Sequence, residues 1–280
     1  MKIFFIIPTL NERPNELKRL IESINISNDL IEKEIIIINQ SEEKIIKEKE
    51  HKNIFEIQLD KKGTSNAKNI GIQYILDKAE DEDIICFPDD DCWYPQDSIK
   101  IIINNFKNNK YDAIVGKAYD PIQNKDFGFE QYKKCLIVNK NNAHKFLMIS
   151  MFFKVKIFKD SNIRFDSELG VGAKYGCGEE TDLLLNIVNK DNKVFFDNSL
   201  IIYHLNYKMK IEQLISYSYG QGALLKKIIF KYKAFKIFFG IILRPLLGMF
   251  CFAFLLKFEN SNRYFLRLKN LTKGFYDYEL

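Results

Sequence analysis

Short apolar runs alternate with segments of helical period over the first 100 residues. The predicted elements, in chain order, are strand 2–7, helix 14–25, strand 34–38, a weaker strand 54–59, helix 65–78 and strand 83–88. Unbroken apolar runs are typical of strands buried on both faces, and apolar residues three or four positions apart are typical of a helix packed on one side. The alternation predicts an α/β fold: a mainly parallel, Rossmann-like sheet flanked by helices.

Polar clusters follow three of the predicted strands, at residues 9–12, 39–41 and 89–91. Ligands of open parallel sheets bind beyond the carboxyl ends of the strands, so these clusters predict a binding site at one sheet edge. Thr9 and Glu12 also have the spacing of a capping box, which predicts a helix start close to them.

The second half of the chain is less regular. Strands are predicted at 113–115, 146–153, 194–196 and 200–203, and a helix with an acidic start follows residue 178. The glycine-rich stretch 170–178 matches neither a dinucleotide-binding nor a P-loop pattern, so we expect a flexible loop there.

Charge divides the chain into a near-neutral body and a basic tail. Residues 206–280 carry 13 Lys and Arg against 4 Asp and Glu, whereas the net charge of the whole chain is only +5. This overall charge is too small to predict a nucleic-acid partner. The apolar run after Met1 ends at Pro8 and is too short for a signal peptide.

The cysteines and histidines argue against several site classes. The five cysteines form no C-x-x-C pair, which argues against a disulfide framework or a zinc site and favours a reducing, cytoplasmic compartment. The three histidines, His51, His144 and His204, are too few for a His-rich metal site.

The sharpest candidate site is the run Asp89-Asp90-Asp91 after a buried strand. Three adjacent carboxylates repel one another, and oxygen ligands suit Mg²⁺ or Mn²⁺, ions that proteins commonly share with substrate phosphates. The alternative is a solvated acidic turn.

A second candidate is the acidic helix start with Glu179, Glu180 and Asp182. One interpretation is a general base that takes a proton from an attacking hydroxyl. The other is favourable placement of acids at the positive end of the helix dipole. Lys68 and its neighbours Lys61 and Lys62 could face a diphosphate or be ordinary surface lysines, and His204 alone is more typical of a structural histidine.

Five segments in order resemble the motifs of the family 2 glycosyltransferases. They are residues 4–12, 34–41, 62–71, 89–91 and 178–183. The resemblance covers about residues 1–205 and implies a GT-A fold, a nucleotide-sugar donor, a divalent metal and inversion at the anomeric carbon. The expected acceptor, a hydroxyl on a glycan or lipid-linked molecule, follows from the membrane location argued below for residues 206–280 and not from an acceptor motif.

The resemblance also implies roles for individual residues. The nucleotide-sugar site would comprise Pro8, Thr9, Glu12, Asn39, Ser41, Lys68, Asp89 and Asp90. Asp91, Asp89 and His204 would hold Mn²⁺ or Mg²⁺, and the catalytic turn would carry Glu180 as the base with Glu179 and Asp182. Apart from the resemblance, Trp93 and Tyr94 are expected to bind the acceptor and, with the 120–145 segment, to help choose the substrates.

The sequence departs from the family pattern at three positions. Asn39 stands where Asp is common, which leaves the nucleotide open, with UDP or dTDP expected. Lys68 stands where Arg is common, and its ammonium group cannot form the two parallel hydrogen bonds that a guanidinium forms with a phosphate. Glu180 replaces the usual Asp, so the base reaches about one methylene further.

The tail is both apolar and basic. Residues 234–256 are long enough to cross a bilayer, but Arg244 lies in the middle, Pro245 should break the helix, and both flanks are basic. These features favour a helical pair lying on or dipping into the inner face of the membrane. The alternative is a helical subdomain packed on the body with the tail phenylalanines as its core.

The predicted domains are therefore 1–205, a catalytic domain with a nucleotide-binding half (1–100) and an acceptor-binding half (101–205), and 206–280, the helical tail. The leading hypothesis is an inverting, metal-dependent glycosyltransferase bound peripherally to the membrane. Two alternatives are a catalytically silent nucleotide-sugar-binding or scaffold subunit and a nucleotidyltransferase. The second would need a glycine-bearing triphosphate loop, and residues 8–14 contain no glycine.

Overall fold

The computed structural model describes residues 1–26, 31–46, 52–108, 111–128, 132–160 and 162–280. His51 and part of the 120–145 segment therefore lie outside the described residues. The strands within the described residues are β1 Lys2–Thr9, β2 Glu32–Asn39, β3 Ile54–Gln58, β4 Ile84–Cys86, β5 Ala113–Asp120, β6 Lys125–Asp126, β7 Leu136–Val138, β8 Met151–Lys154 and β9 Val194–Tyr203. The α-helices there are α1 Pro14–Ile26, α2 Thr64–Leu76, α3 Ser98–Asn108, α4 Lys156–Lys159, α5 Glu179–Asn189, α6 Ile211–Phe230, α7 Phe235–Phe254 and α8 Phe258–Asp277.

The strands form one mixed sheet in the order β3-β2-β1-β4-β8-β5-β9-β7, and β6 pairs with β5. Strands β1 to β4 pair in parallel, as the alternating pattern predicts. Strand β8 then lies antiparallel between β4 and β5, and β5 pairs in parallel with β9. The α/β fold is confirmed, with its parallel half at the N-terminal end of the chain.

Helices cover both faces of the sheet because alternate residues of each strand point to opposite sides. In β1, Phe4 and Ile6 join the core on the side of α2, where Ile72 and Ile75 pack. Ile3, Phe5 and Ile7 join the opposite core, which includes Leu17 and Leu20 of α1. The carboxyl ends of β1, β2 and β4 are thereby left uncovered by helix packing and carry the predicted polar clusters.

Three local predictions are wrong. Thr9 is the last residue of β1, and α1 begins only at Pro14, so Thr9 and Glu12 form no capping box. Residues 194–203 form one strand, because the polar residues 197–199 sit at an irregularity of the ladder with β5 and do not end it. Of residues 146–153, only the end belongs to a strand, β8.

Helix α6 shares a core with the helices packed on the sheet. Its Leu224, Leu225 and Ile228 are buried in the same cluster as Leu183 and Leu184 of α5. Helices α6 and α8 also pack closely, and a Cβ on Gly274 would lie 1.9 Å from the carbonyl oxygen of Tyr219.

Helix α7 is continuous through Pro245, so the expected break is wrong. Proline removes one backbone hydrogen bond, and the remaining bonds together with the packing of Gly248 against Tyr264 of α8 maintain the helix. Among the described residues, α7 is the one helix that length and composition would allow to cross a membrane, and only 11% of its most apolar window is buried. Phe239, Phe250 and Phe254 are 55%, 61% and 88% exposed, so they do not form the core of a packed subdomain.

Candidate active site

The three aspartates lie on the turn after β4, at the uncovered sheet edge. Asp90 and Asp91 are buried and Asp89 is half-buried. The hydroxyl of Thr9, at the end of β1, donates a 2.6 Å hydrogen bond to Asp90. Burial raises the pKa of Asp90, and the Thr9 hydroxyl and the Arg13 charge only partly offset that effect. Two neighbouring strand ends are thus joined directly through the aspartate turn.

His204 meets this turn from the end of β9. Its backbone N–H donates to the carbonyl of Tyr119 at 2.9 Å, and its ring stacks on Phe127. Nε2 of His204 lies 3.1 Å from Asp91 Oδ1. Burial alone would lower the pKa of His204, but the hydrogen bond and charge of Asp91 outweigh it and raise that pKa. The same contact lowers the pKa of Asp91 against the opposing effect of burial.

Asp89, Asp91 and His204 offer ligand atoms that all lie within 4.8 Å of one another. Nδ1 of His204 lies 2.7 Å from the carbonyl oxygen of Leu205, which can only accept, so Nδ1 carries a proton. Nε2 lies at hydrogen-bond distance from a carboxylate oxygen, so it also carries a proton in this arrangement, and a divalent cation would have to replace that proton. Two carboxylates and an imidazole nitrogen suit Mn²⁺ better than Mg²⁺, which prefers oxygen ligands. The side chains present fit a divalent metal.

Arg13 was not among the candidates, yet it contacts the aspartate turn. Its guanidinium bonds Asp90 at 2.6 Å and also pairs with Asp91. A metal ion on Asp91 would therefore compete with this guanidinium. Its place in the sequence could have identified it, because Arg13 follows the polar cluster at the end of β1, on the same sheet edge as Asp90 and Asp91.

Glu179 and Glu180 begin α5 opposite the aspartate turn. Glu179 is buried, and its carboxylate lies 3.8 Å from Nζ of Lys68, itself only 2% exposed. Burial raises the pKa of Glu180 to about 8, with a further contribution from the Glu179 charge and a smaller one from Asp89. A carboxyl group with a pKa near neutrality can exchange a proton with a substrate hydroxyl.

The glycine-rich stretch 170–178, which precedes Glu179 and Glu180, is packed against the start of α2. The sequence had predicted a flexible loop there. The backbone N–H of Thr64 donates to Val171 at 3.0 Å, and the hydroxyl of Ser65 donates to Leu169 at 2.6 Å. Gly178, the residue before α5, has φ +108°, a conformation that a residue with a Cβ rarely adopts. The start of α2 therefore fixes the loop that carries the two glutamates.

Asp182 takes part in a buried network with the C-terminal helices. Nζ of Lys227 in α6 lies 2.6 Å from Asp182 and 2.8 Å from Asp166. The hydroxyl of Tyr232 donates to Asp182 at 2.7 Å, and that of Tyr278 donates to Asp166 at 2.5 Å. These contacts use both carboxylate oxygens of Asp182, so its place in the structure is that of an anchor for α5.

The structure places the predicted nucleoside-pocket residues at different depths. Pro8 is buried in β1, Ser41 is half-buried, and Glu12 is exposed beyond β1. Asn39 is fully buried, its amide nitrogen donates to Glu56 at 2.7 Å, and its amide oxygen accepts from Ser41. Asn39 therefore shapes the 40–43 turn from beneath.

The two predicted acceptor contacts differ in position. Trp93 is half-buried, and the guanidinium of Arg19 lies 3.7 Å from its ring centroid. Tyr94 is 3% exposed and packs edge-on against Phe5 in the core, so the structure does not present it to an acceptor. Tyr207, which sequence reasoning missed, is 63% exposed and borders His204.

The chain resembles known proteins in sequence and in fold. Residues 4–168, more than half of the chain, match the family model described as Glycosyl transferase family 2. None of the curated proteins matches the sequence. The matched range contains the three aspartates and ends before the glutamates of α5.

Solved structures of S. aureus TarS have the same fold. TarS 1–349 aligns with a TM-score of 0.57 at 14% identity, covering 98% of this chain and 92% of that one. Its complex with UDP-GlcNAc aligns with a TM-score of 0.58 at 15% identity, covering 98% and 81%. A longer TarS structure gives a TM-score of 0.60 at 15% identity, covering 82% and 40%. At these identities the likeness shows the fold, and the expected GT-A architecture is confirmed.

Proposed function

This chain belongs to glycosyl transferase family 2 and is a nucleotide-sugar-dependent glycosyltransferase, and we propose that it transfers a sugar from a UDP-linked donor to a hydroxyl with inversion. The observation that carries the proposal is the pairing of two clusters at one sheet edge. The Asp89–Asp91–His204 group lies close enough to Glu180 for Asp89 to raise its pKa. The UDP-GlcNAc and UDP complexes of TarS favour a UDP-linked donor over a dTDP-linked one.

The donor's diphosphate would lie against the aspartate turn. Asp91, Asp89 and His204 would hold Mn²⁺ or Mg²⁺, and such an ion, when bound, offsets the charge that develops on the leaving diphosphate. Arg13 would then give up Asp91, and its guanidinium would remain beside the donor's phosphates. Thr9 holds Asp90 in place and so fixes the turn that carries both aspartate ligands.

Glu180 would remove the proton of the acceptor hydroxyl as that oxygen attacks the anomeric carbon from the side opposite the leaving group. Its position at the start of α5 and its raised pKa suit this role. Glu179 stays paired with Lys68 beside Glu180. Trp93 and Tyr207 border the space where an acceptor would lie.

The pH dependence of kcat/KM should report the Glu180 carboxyl. Protonated Glu180 cannot accept a proton, so activity should rise with pH through a limb centred near its pKa of about 8 instead of near 4.5. The measurement is kcat/KM for donor turnover between roughly pH 6 and pH 9. A flat profile in this range would show that another group is the base. Glu180→Asp serves as the matched variant. Its kcat/KM should still rise with pH, but the midpoint of the rise should shift.

The cellular site that we propose is the cytoplasmic face of the membrane. Helix α7 has 20 residues, about 30 Å of helix, and of its side chains only Ile237 and Pro245 are buried. Arg244 at its centre and lysines on both flanks favour an orientation along the interface. Such a location suits an acceptor that is lipid-linked or attached to a surface glycan.

Turnover of a donor panel tests the proposal directly. Purified protein is incubated with UDP- and dTDP-linked sugars and Mn²⁺, with water in place of the acceptor hydroxyl as the nucleophile, and release of the nucleoside diphosphate is followed by chromatography. We expect release from a UDP-linked donor by the wild type and not by Asp91→Asn. If folded wild-type protein releases no more nucleotide than Asp91→Asn from any donor, the silent-subunit alternative replaces the proposal.

A further inference from the structure

A small cavity lies among the three C-terminal helices, apart from the active site. Its volume is about 270 Å³, and its lining residues are Leu214, Phe252, Asn260, Arg263, Tyr264 and Arg267. Whole small-molecule ligands usually occupy roughly 300–1,000 Å³. The cavity is therefore of a size for one headgroup or phosphate and its immediate substituents.

One face of α8 gives the cavity its charge. Asn260, Arg263, Tyr264 and Arg267 lie three and four positions apart, so they project from the same side of the helix. Arg267 lines the cavity, and its guanidinium donates to the side-chain oxygen of Gln221 in α6 at 3.0 Å. Two forked cationic groups thus converge on one small space.

These arginines have no carboxylate partner in the described part of the chain. No ion pair there involves Arg263, Arg267 or Arg244, although Arg244 is near enough for its charge to act on Arg267. Burial lowers the pKa of Arg267, and the Arg244 charge adds to this effect. A partly buried guanidinium beside another cation is costly unless an anion compensates it.

The acids on the same helices do not supply that anion. Glu212 of α6 and Glu259 of α8 are exposed, and Asp277 accepts a hydrogen bond from Tyr219. Helix α7 contains no acidic residue. The acids of α6, α7 and α8 in the described part of the chain therefore leave these arginines without a carboxylate partner, and a bound anion would compensate their charge.

The other walls of the cavity are apolar and continue into the exposed surface of α7. Tyr264 stacks on Phe252 at 5.6 Å between ring centroids. Phe250 and Phe254, two positions to either side of Phe252, are 61% and 88% exposed. A ligand that combines an anionic phosphate with hydrocarbon chains matches this arrangement of charge and apolar surface.

We propose that this cavity binds the phosphate of an anionic membrane phospholipid, with Arg263 and Arg267 as its ligands, while α7 lies against the acyl chains. Arginine forks match two phosphate oxygens, and phosphodiester headgroups present them at the depth where an interfacial helix lies. The inference rests on the proposed membrane association and adds a specific lipid site to it. Because Gln221 follows Gly220, which packs on the backbone of Cys177, the lipid site is one helix away from the catalytic turn.

Charge-conserving variants test the site. Arg263→Lys/Arg267→Lys keeps the net charge but loses the forks, and Lys269→Arg/Lys273→Arg is the matched control on the exposed side of α8. Binding of full-length protein to phosphatidylglycerol/phosphatidylcholine vesicles is measured by sedimentation, and circular dichroism confirms that each variant is folded. We expect the pocket variant to bind about tenfold more weakly and the control to bind as the wild type does. Arg263→Lys alone should show a smaller loss in the same direction, because one of the two guanidinium groups remains.

The remaining outcomes separate the claims. If wild type binds the vesicles and the pocket variant binds equally well, attraction is by net charge alone and the site is refuted. Excess glycerol 3-phosphate is a competitor without acyl chains. If it releases all of the protein from the vesicles at the concentration that saturates its own binding to the protein in solution, the ligand is a free phosphate ester and the lipid assignment is overturned. If the wild type does not bind the vesicles but turns over the donor, membrane association and the lipid site are both refuted, while the proposed transferase function is unaffected.

Discussion

Glu180→Gln is expected to reduce the turnover number roughly a thousandfold while leaving donor affinity within a factor of about three, because it removes only the group that takes the acceptor's proton. Glutamine has nearly the same shape as glutamate, and Glu180 is half-buried, so α5 should keep its position. Burial and the charge of Glu179 raise the pKa of Glu180 to about 8, so Glu180 is largely protonated at neutral pH and its replacement by neutral Gln should change the stability of the fold little.

Glu179→Gln is the matched control for this variant. Glu179 pairs with Lys68, so its loss should perturb the site with a much smaller effect on turnover than that of Glu180→Gln. Turnover and donor affinity are measured separately, by nucleotide release and by calorimetry. A Glu180→Gln protein that transfers sugar at the wild-type rate would show that Glu180 is not the base.

Lys227→Met is expected to lower the free energy of unfolding by about 3–5 kcal/mol, the usual cost of removing one partner from a buried ion network. Lys227 is 5% exposed and separates two carboxylates, Asp166 and Asp182. Without the ammonium group these carboxylates would repel each other in a site with little access to water. The measurement is unfolding by urea, followed by circular dichroism.

A control and a second substitution make the Lys227 result specific. Lys269→Met, on the exposed side of α8, should change stability by less than about 0.5 kcal/mol. Asp182→Asn in the Lys227→Met protein should recover part of the loss, because it removes one of the two unpaired charges. Equal stability of Lys227→Met and Lys269→Met would contradict the anchoring role of the network.

Local patterns were sufficient for the parallel half of the fold. Strands β1, β2 and β4 are buried on both faces, so each appears in the sequence as an uninterrupted apolar run. The aspartate turn could be located for the same reason, because it directly follows such a run. Strand β9 was read as two strands because a polar segment interrupts its apolar residues at the ladder irregularity.

Contacts between distant parts of the chain could not be predicted in the same way. Arg13 and Asp91 are 78 positions apart, and Lys227 and Asp182 are 45 positions apart. No local periodicity connects such pairs, because tertiary packing alone brings them together. The sequence accordingly assigned Asp182 to catalysis, whereas the structure binds its carboxylate to α6.

Burial also changed the reading of single residues. Trp93 and Tyr94 are adjacent aromatic residues, yet Tyr94 packs in the core whereas Trp93 is half-buried and borders the site. Pro245 was expected to end a helix, but the packing of α7 on α8 preserves it. Residue type gives the chemistry that is available at a position, and only the fold decides whether a substrate can reach it.

Calorimetric titration of nucleoside diphosphates tests the central claim most directly. UDP, dTDP, GDP and CMP are titrated into wild type and Asp91→Asn, with and without Mn²⁺. We expect UDP to bind wild type only with Mn²⁺ and to bind Asp91→Asn at least about tenfold more weakly, since Asp91 would hold the ion that bridges to the diphosphate. Absence of nucleotide binding to folded wild type, or UDP binding that depends on neither Mn²⁺ nor Asp91, would contradict a metal-assisted donor site at this sheet edge.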